Sequence, residues 1–548
     1  MLIATLLIIQ AFIISYYVGY IGLYRFHYLL VSKTDSIKVH VSLYQLIGLA
    51  LLAFISSLLH LFYPINSSLL YIISLSVLLP NLIMQPKILN EATHHLIEGI
   101  KSHKLTYLIT FTIGVISICS RPGTGDIADY HLQALKWAEQ YRNIIGLGNF
   151  NRPLANNNWW FNVQALFGNA NHSIYILNAF VFMLVFTFLI NNESENKMLK
   201  MFGFVLAGFV AVSSKTAFVG SVTPDYAITN LIFICSYLYL SYNFNKDKIY
   251  LHLIILLSLF AITIKLNSIL LLGLALLSFL ELIKTEKAKK YWIFYSVISA
   301  LSIGLWLIGN VLVSGWLCYP VSGLDLFQFD WKMPKEVLDM ERFSIKQWGK
   351  VPFQDIQVTA KMSLSEWLPL WVEKLDVFNK GLLGISILTT LTFISALVYT
   401  KEKQKTILNL AIISLVGVAF CFSNGPHVRY AYGYIVVMLA LSLSYLLHNK
   451  IKLVNNWVMT AMIVVSIAGV VPKILAMKNE GSLFSSIVYP KAYPIFELDT
   501  IQSNGNTLFI SKQNSTCWTS FPCSYYMLEN CQLRTNNLEE GFRVSKTK

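Results

Sequence analysis

Charged residues are scarce in this chain of 548 residues: they make up 13% of it, against about a quarter in soluble domains. Hydrophobic residues make up 55%. So little charge cannot cover the surfaces of soluble domains, and a disordered chain needs low hydrophobicity and high charge. The composition therefore predicts an all-α polytopic membrane protein.

The sequence also lacks the short motifs that mark several common chemistries. It has no GxxxxGK[ST] loop, no GxGxxG opening a helix, no HExxH and no GxSxG. The first apolar segment has no basic start and no small-residue cleavage site, which predicts a retained helix and not a signal peptide.

Long apolar runs, in contrast, are abundant. A membrane-spanning helix needs about 20 mostly apolar residues, because lipid offers the backbone no hydrogen-bond partner. We therefore predict about 14 transmembrane helices. The segments are 2–24, 41–63, 67–86, 105–119, 173–190, 201–217, 226–243, 249–264, 267–283, 291–312, 381–399, 406–423, 429–447 and 456–472.

Every second connection between these segments is rich in lysine or arginine, which mark the cytoplasmic side. These loops hold most of the net charge of +14. The outer side then receives both termini, the loops 120–172 and 313–380, and the tail. Because the charge marks topology, nucleic acid is not an expected partner. We divide the chain into a transmembrane domain, 1–472, and a small outer α/β domain, 473–548, with a strand-like segment at 507–511.

Three of the seven cysteines fall in the outer tail: Cys517, Cys523 and Cys531. An oxidising compartment permits a Cys517–Cys523 disulfide. Spacing alone leaves Cys531 either as an odd thiol or as the true partner of one of the other two. The spacing is not that of a zinc site.

The first outer loop is the richest in polar groups. A turn at 123–125 and a helix over 127–141 place Asp126 and Asp129 on one helical face near the membrane. Leu135 and Trp137 suggest that this helix lies on the membrane surface. The simpler alternative is that Asp126 caps the helix and Asp129 is solvated.

Other hydrogen-bonding and aromatic groups crowd the same stretch and favour a polyol or sugar-phosphate ligand over simple packing. His131 taken alone is better explained as a structural partner of a carboxylate. The candidate binding residues of this loop are Tyr130, His131, Lys136, Arg152, Asn156 and Trp159.

Three more charged residues are expected near the outer membrane boundary. Asp225 follows Thr223 and Pro224, where a helix cap is the alternative. Lys265 lies between two spans and either snorkels outward or binds an anion. Arg429 either pairs with a phosphate or bridges to Asp225 or another acid.

The second outer loop, 313–380, is rich in tryptophan. Its sequence predicts short amphipathic helices, which form either an aromatic membrane belt or a lid or platform over a lipid-borne substrate.

This loop order resembles the GT-C superfamily of integral-membrane glycosyltransferases, which have many spans and a catalytic Asp in the first large outer loop. The run DIADYHLQALKWAEQYRNIIGLGNFNRPLANNNWW (126–160) is similar to uncharacterised bacterial surface-polysaccharide membrane proteins. The stretches SGWLCYP, DWKMP, PHVRYAYG, CWTSFPC and GFR are similar to the same group. The chain has two early spans more than a minimal GT-C core.

The resemblance implies a GT-C-like fold with outer juxtamembrane helices, located in the bacterial inner membrane with its active site on the periplasmic side. It implies inverting transfer of a sugar from a polyprenyl-phosphate donor to a glycan or lipid-linked acceptor. Asp126 is the first candidate for the general base and Asp129 the second, with Asp225 in support. Lys136, Arg152, Lys265 and Arg429 are the candidates for binding the anionic headgroup.

The resemblance requires no cofactor, although some superfamily members bind a divalent metal between outer acidic residues. Two alternative functions are a polymerase of lipid-linked glycan repeat units and a transporter or flippase of lipid-linked oligosaccharide. A transporter would place charged residues inside its spans and often carry inverted repeats. We see few mid-span charges and no repeat in the sequence.

Overall fold

The computed structural model describes residues 1–548 apart from 32–37, 122–125, 170–171, 192–193, 286, 400–404, 451–454, 491, 494, 504, 512–516, 519, 526 and 546–548. The turn expected at 123–125 lies outside the described residues. The chain is mostly helical, with a few short strands near its C-terminal end.

Twenty-two α-helices occur in the described chain. They are α1 (Leu2–Val31), α2 (Val41–Leu59), α3 (Ser67–Met84), α4 (Pro86–Ser102), α5 (Lys104–Cys119), α6 (Leu132–Gln140), α7 (Leu147–Phe150), α8 (Trp159–Leu166), α9 (Leu177–Ile190), α10 (Lys197–Ser213), α11 (Pro224–Asn245), α12 (Ile249–Ile264), α13 (Leu271–Leu282), α14 (Ala288–Ser314), α15 (Lys335–Lys350), α16 (Ile356–Lys361), α17 (Leu364–Lys374), α18 (Val377–Tyr399), α19 (Lys405–Asn424), α20 (Val428–Leu447), α21 (Asn455–Asn479) and α22 (Ser482–Ser485).

Each of the fourteen predicted apolar segments lies on a helix. Within the described residues, nine helices are long and apolar enough to cross a membrane, or ten if α4 and α5 together form one bent span. The protein is therefore a multi-pass helical membrane protein. Helices α9, α12 and α13 have 14, 16 and 12 residues, fewer than the roughly 20 that span a bilayer, so the count of fourteen stays a prediction.

Helix α4 is not among the predicted spans, because its residues fall in a basic connection between two apolar segments. It meets α5 at an angle of 85°. Its apolar residues Ile88, Ala92 and Leu96 recur every four positions and are buried, while most of the other side is polar. The mean hydropathy of α4 is too low for the sequence to predict a span. Its apolar face is nevertheless enough to hold the helix against the bundle.

The centre of the bundle is formed by α2 and α11, whose most apolar windows are 72% and 83% buried, against 17% for α18 and α21. Helices α1 and α2 cross closely. A Cβ on Gly19 would lie 1.8 Å from the carbonyl oxygen of Tyr44, and one on Gly48 would lie 1.8 Å from that of Ser15. Glycine permits this approach of two backbones, as is usual between membrane helices.

The helix predicted over 127–141 is confirmed, with a π-helical first turn. Residues Ile127–His131 form a π-helical turn, and α6 follows from Leu132. Leu135 and Trp137 are 0% and 2% exposed, so the prediction that they lay the helix on the membrane surface is wrong. The C-terminal tail covers Trp137, whose ring packs against Phe521 and Phe542, and Leu135 packs in the main hydrophobic core.

The tail forms two small sheets from five strands of the described chain. Strand β1 (Asp499–Ser503) pairs antiparallel with β2 (Asn506–Ile510), which pairs parallel with β3 (Cys523–Ser524). Strands β4 (Cys531–Leu533) and β5 (Phe542–Val544) pair antiparallel. The strand-like character expected at 507–511 is thus found in β2.

A disulfide joins Cys517 to Cys523, with the Cα atoms 5.6 Å apart, and leaves Cys531 as a free thiol. This is the first of the pairings that the spacing allowed. Gln133 fixes the disulfide loop to α6: its side-chain amide donates to the carbonyls of Cys517 and Ser520, and its carbonyl accepts the N–H of Cys523. The tail and the first outer loop therefore form one packed layer at this end of the bundle.

Candidate functional site

Four charged side chains from distant parts of the chain meet at one end of the helical bundle. Arg429 Nη2 donates a hydrogen bond to Asp126 Oδ2 at 2.8 Å, and Arg429 Nε lies 3.4 Å from Asp225 Oδ2. Lys265 Nζ lies 2.5 Å from Asp225 Oδ1. Asp126, Asp225, Lys265 and Arg429 thus form one ion-paired network, named here the charged cluster.

Asp225 is the buried centre of the charged cluster, with a side chain only 7% exposed. Pro224 takes the first position of α11, where its missing N–H is not needed, and Asp225 follows in the first turn. Unpaired amides and the helix dipole stabilise a carboxylate there. Each of its oxygens faces a different cation, and Thr223 takes the cap position. The simple helix-cap interpretation of Asp225 is therefore wrong.

Lys265 reaches the charged cluster from the end of α12. Its backbone is extended and a short 3-10 turn, Leu266–Ser268, follows it. The ammonium lies 4.8 Å from the centre of the Tyr430 ring as well as beside Asp225, and the aromatic face adds to the attraction. Lys265 therefore points inward instead of snorkelling, while 32% of its side chain stays exposed.

Arg429 lies in the first turn of α20, after the cap residue His427, whose Nδ1 accepts the Arg429 N–H at 3.3 Å. A cation is unfavourable at a helix N-terminus, so the carboxylates of Asp126 and Asp225 compensate for its position. The prediction that Arg429 bridges to Asp225 or another acid is confirmed, because it contacts both carboxylates.

Asp126 stands immediately before the π-helical turn. Its side chain makes no capping hydrogen bond and is paired with Arg429 instead, so the cap alternative for Asp126 is wrong. The carboxylate is 39% exposed and is the most accessible group of the charged cluster. Single π-helical turns occur frequently at functional sites, and this one carries Asp129, Tyr130 and His131 beside the cluster.

Asp129 lies next to the charged cluster without joining it. Burial, and then the negative charge of Asp126, raise the pKa of Asp129 to about 6. Within the part of the chain that the structure describes, no lysine or arginine forms an ion pair with it. Asp129 is half-buried and so not simply solvated, and a carboxylate with a pKa near neutrality suits proton transfer.

Tyr130 and His131 face the same site from the π-helical turn. Burial, with the nearby charges of Asp126 and Asp225, raises the pKa of Tyr130, so its hydroxyl stays protonated. Burial lowers the pKa of His131 to about 4 despite the same two carboxylates, so its ring is neutral at pH 7. The His131 ring packs 5.2 Å from that of Phe161.

An aromatic wall that the sequence analysis did not assign completes the site. Trp348 of α15 stacks on His427 at 5.1 Å, and the Arg429 guanidinium lies 5.8 Å from the Trp348 ring and 5.3 Å from the Tyr430 ring. Trp371 of α17 donates to the carbonyl of Pro426 at 2.5 Å. The amphipathic helices predicted in 313–380 thus hold the start of α20. The sequence PHVRY was the available signal for His427 and Tyr430.

Lys136 and Arg152, expected to receive an anionic headgroup, are engaged elsewhere. Lys136 is buried, with its ammonium 3.4 Å from the carbonyl of Trp518, and burial lowers its pKa to about 8 despite the nearby Glu139. Arg152 pairs with Glu341 of α15 at 2.6 Å. These contacts fasten the tail and the second outer loop to the first outer loop.

Asn156 and Trp159 also lie apart from the charged cluster. Asn156 is exposed and lines a cleft beside α6. Trp159 is 2% exposed and packs 6.1 Å from Phe54 in the core. Six of the predicted site residues therefore meet around one point: Asp126, Tyr130, His131, Asp225, Lys265 and Arg429. Asp129 lies beside them.

No group of three or more His, Cys, Asp or Glu side chains able to hold a metal ion occurs among the described residues. The carboxylates of the charged cluster face Arg429 and Lys265 instead.

The fold and the site define a multi-pass helical membrane protein with a charged site at one end of its bundle. The chain belongs to the family described as a domain of unknown function (DUF8201), which matches residues 1–436. That range includes all four residues of the charged cluster and ends before the tail. None of the curated proteins matches the chain.

Proposed function

We propose that this protein is a membrane glycosyltransferase that moves a sugar from a polyprenyl-phosphate-linked donor to a cell-surface glycan or lipid acceptor. The supporting observation is the charged cluster, whose members come from the ends of four separate helices and meet beside an unpaired carboxylate of raised pKa. Spanning helices end near the membrane interface, where a lipid phosphate also lies.

The two cations of the charged cluster are suited to the phosphate of the donor. Arg429 uses Nη2 and Nε toward carboxylates, and Lys265 directs one donor at Asp225. The remaining N–H groups of both side chains, which are 21% and 32% exposed, are available to phosphate oxygens. In the transition state they stabilise the charge that develops on the leaving phosphate.

The transfer is a single displacement with inversion at the anomeric carbon. The acceptor hydroxyl oxygen forms a bond to that carbon while the bond from carbon to phosphate oxygen breaks and polyprenyl phosphate leaves. The hydroxyl proton passes to a carboxylate, because an alcohol is too weak an acid to react without a base. This displacement requires no metal ion.

Asp129 is the better-placed proton acceptor of the two acidic residues in the first outer loop. Asp126 already accepts a hydrogen bond from Arg429, at 2.8 Å. Asp129 has no such partner in the described chain, and its pKa is raised to about 6. We therefore reverse the order expected from the sequence and assign Asp126 to positioning Arg429.

The basic loops support an orientation in which the charged cluster faces the periplasm of a bacterial inner membrane. Asp126, Asp225 and Lys265 fall on connections that the alternating spans predict to be outside, and Arg429 begins the segment 429–447 at its predicted outer end. Their contacts are compatible with that topology, since residues on opposite sides of a bilayer cannot pair.

The test is sugar transfer by the purified protein in lipid nanodiscs from a polyprenyl-phosphate sugar mixture extracted from the host, followed as release of polyprenyl phosphate. We expect Asp129→Asn to lower the rate by about 10²–10⁴-fold, the contribution typical of a general base. Asp126→Asn should lower it less and raise KM, because it acts through Arg429.

Asp325→Asn is the matched control. Asp325 is an outer-loop aspartate, 44% exposed, that pairs with Lys332 away from the charged cluster, and its variant should keep the wild-type rate. Normal transfer by Asp129→Asn and Asp126→Asn would contradict the proposal. Movement of lipid-linked sugar across the disc membrane without any transfer would favour a flippase.

A further inference from the structure

A lysine occupies the bundle-facing side of α21, the last spanning helix of the described chain. Lys473 lies near the C-terminal end of this helix, on the face that also carries Ser466, Val470 and Met477. Those three side chains are 0%, 3% and 3% exposed. Positions i, i+4, i+7 and i+11 share one side of a helix. Lys473 therefore points toward the bundle and not toward the surrounding lipid.

The ammonium of Lys473 reaches the neighbouring helix α5. It donates a hydrogen bond of 3.0 Å to the hydroxyl of Ser117, a residue that is 0% exposed. No carboxylate of the described residues pairs with this ammonium. An ammonium has three N–H donors, so part of its hydrogen-bonding capacity is left over. A charge held away from water is costly unless an opposite charge accompanies it, and this position therefore favours a bound anion.

A second lysine borders the same place. Gly469, about one helical turn before Lys473, lies so close to the end of α10 that an added Cβ would be 2.8 Å from the backbone nitrogen of Lys215. Lys215 is exposed, and no ion pair engages it within the described chain. Two cations without a carboxylate thus lie where α21 packs against α5 and α10. We name Ser117, Lys215 and Lys473 the lysine corner.

The lysine corner lies at the same end of the bundle as the charged cluster, on different helices. Helix α10 ends at Ser213 and its connection leads to Asp225, while α5 ends at Cys119, shortly before Asp126. The most apolar window of α21 is only 17% buried, so most of this helix faces lipid. Basic pockets between spanning helices bind the head groups of anionic lipids. The position therefore fits a lipid phosphate better than a soluble ligand.

We propose that the lysine corner binds the phosphate of an anionic phospholipid, with Lys473 as the principal contact. Its ammonium is positioned by Ser117 and offers its remaining donors to the phosphate oxygens, and such charge-assisted hydrogen bonds are strong. Lys215 adds a weaker attraction, because its side chain is exposed. A zwitterionic lipid carries a cation beside its phosphate, which two lysines disfavour.

This assignment does not depend on the proposed function. None of the three residues of the lysine corner belongs to the charged cluster, and binding of a phospholipid requires no sugar transfer. A protein that binds the lipid but transfers no sugar would leave the lysine corner assigned and contradict the glycosyltransferase proposal alone.

The test is native mass spectrometry of the full-length protein, titrated in detergent with phosphatidylglycerol or with phosphatidylcholine of the same acyl chains. We expect the wild type to bind phosphatidylglycerol more tightly than phosphatidylcholine. Lys473→Met keeps the side chain long and apolar, removes its charge, and should weaken phosphatidylglycerol binding by at least about tenfold, the effect of one charged hydrogen bond. Lys215→Gln should weaken it by up to about fivefold, since an exposed charge contributes less.

Lys478→Met is the matched control, because Lys478 is an exposed lysine of the same helix outside the lysine corner. This variant should bind phosphatidylglycerol as the wild type does. Thermal unfolding in lipid nanodiscs is a second measurement, since a ligand that binds the folded state raises the unfolding temperature. The wild type and Lys478→Met should unfold at a higher temperature in phosphatidylglycerol than in phosphatidylcholine, and Lys473→Met should lose most of this difference.

Several results would overturn the proposal. One is equal binding of the two lipids by the wild type. Another is that Lys473→Met keeps the preference for phosphatidylglycerol or the full difference in unfolding temperature. A third is that an excess of inorganic phosphate abolishes the binding of phosphatidylglycerol, which would assign the lysine corner to a free anion and not to a lipid.

Discussion

Replacing Asp225 by Asn keeps the shape of the side chain and removes the negative charge at the centre of the charged cluster. Lys265 would then lose its carboxylate partner, and Arg429 would keep only Asp126. Breaking a buried ion pair on one side costs about 3–5 kcal/mol. Because Lys265 and Arg429 are 32% and 21% exposed, we expect the lower end, a loss of about 3 kcal/mol in the free energy of unfolding.

The double variant Asp225→Asn/Lys265→Met tests the reasoning, because it removes one charge of each sign and leaves the pair of Arg429 with Asp126 balanced. We expect it to be no less stable than Asp225→Asn alone, which corresponds to a coupling of about 2 kcal/mol between the two sites. Reversible unfolding in SDS-titrated lipid micelles, followed by tryptophan fluorescence, measures the free energy of unfolding. It is applied to the four proteins of this double-mutant cycle: the wild type, the two single variants and the double variant.

Asp325→Asn again serves as the control, since the Asp325 carboxylate is 44% exposed, against 7% for Asp225, and its pair should contribute less than about 1 kcal/mol. Two results would refute the view that the charged cluster is one coupled network. One is that the losses in free energy of unfolding of the single variants add in the double variant, and the other is that Asp225→Asn is as stable as the wild type.

Two further predictions concern Asp129 and the tail. Transfer should fall as the pH drops through about 6, because the raised pKa of Asp129 means that its carboxylate takes up a proton there and no longer accepts one. A profile of kcat/KM between pH 5 and 8 measures this, and a flat profile would argue against Asp129 as the base. Gly541→Ala should release strand β5 and expose the tail to protease, because Gly541 has a φ of +87° and an added Cβ would lie 1.9 Å from the Ile145 carbonyl oxygen. A strained substitution of this kind costs more than about 1 kcal/mol. Gly505→Ala is the control, with a φ of +81° but open space around it; equal protease sensitivity of the two variants would count against the packing explanation.

The sequence is most informative where lipid restricts the backbone. Helices occupy all fourteen apolar segments because no other structure satisfies the backbone within a bilayer. The bends and lengths of the helices are set by packing, which a hydropathy pattern does not describe. Helix α4 turns by 85° from α5, and α13 is shortened by the 3-10 turn at Leu266–Ser268.

The candidate site is partly predictable for a related reason. Charged residues at span boundaries are costly to bury alone, so Asp225, Lys265 and Arg429 were recognisable one by one, and topology placed them on the same side. The sequence left the partner of Arg429 open and did not indicate that Lys265 pairs with Asp225. Lys136 and Arg152 resemble headgroup ligands in the sequence, but their partners Trp518 and Glu341 lie far away along the chain.

Trp137 illustrates what a local pattern cannot supply. Its helix has the apolar residues of an interfacial helix, yet the surface that covers Trp137 comes from Phe521 and Phe542 of the tail. Amphipathicity shows that a helix face must be buried and does not reveal whether lipid or protein buries it.

The charged cluster as a receptor for a lipid phosphate is tested most directly by native mass spectrometry of the protein with equal amounts of polyprenyl phosphate and the corresponding polyprenol. We expect the phosphate to remain bound and the alcohol to be lost. The paired variant Lys265→Met/Arg429→Gln should lose the phosphate preference by at least about tenfold, since each charged hydrogen bond contributes roughly 1.5–3 kcal/mol. Equal binding of phosphate and alcohol by the wild type, or an undiminished preference in the paired variant, would contradict the account.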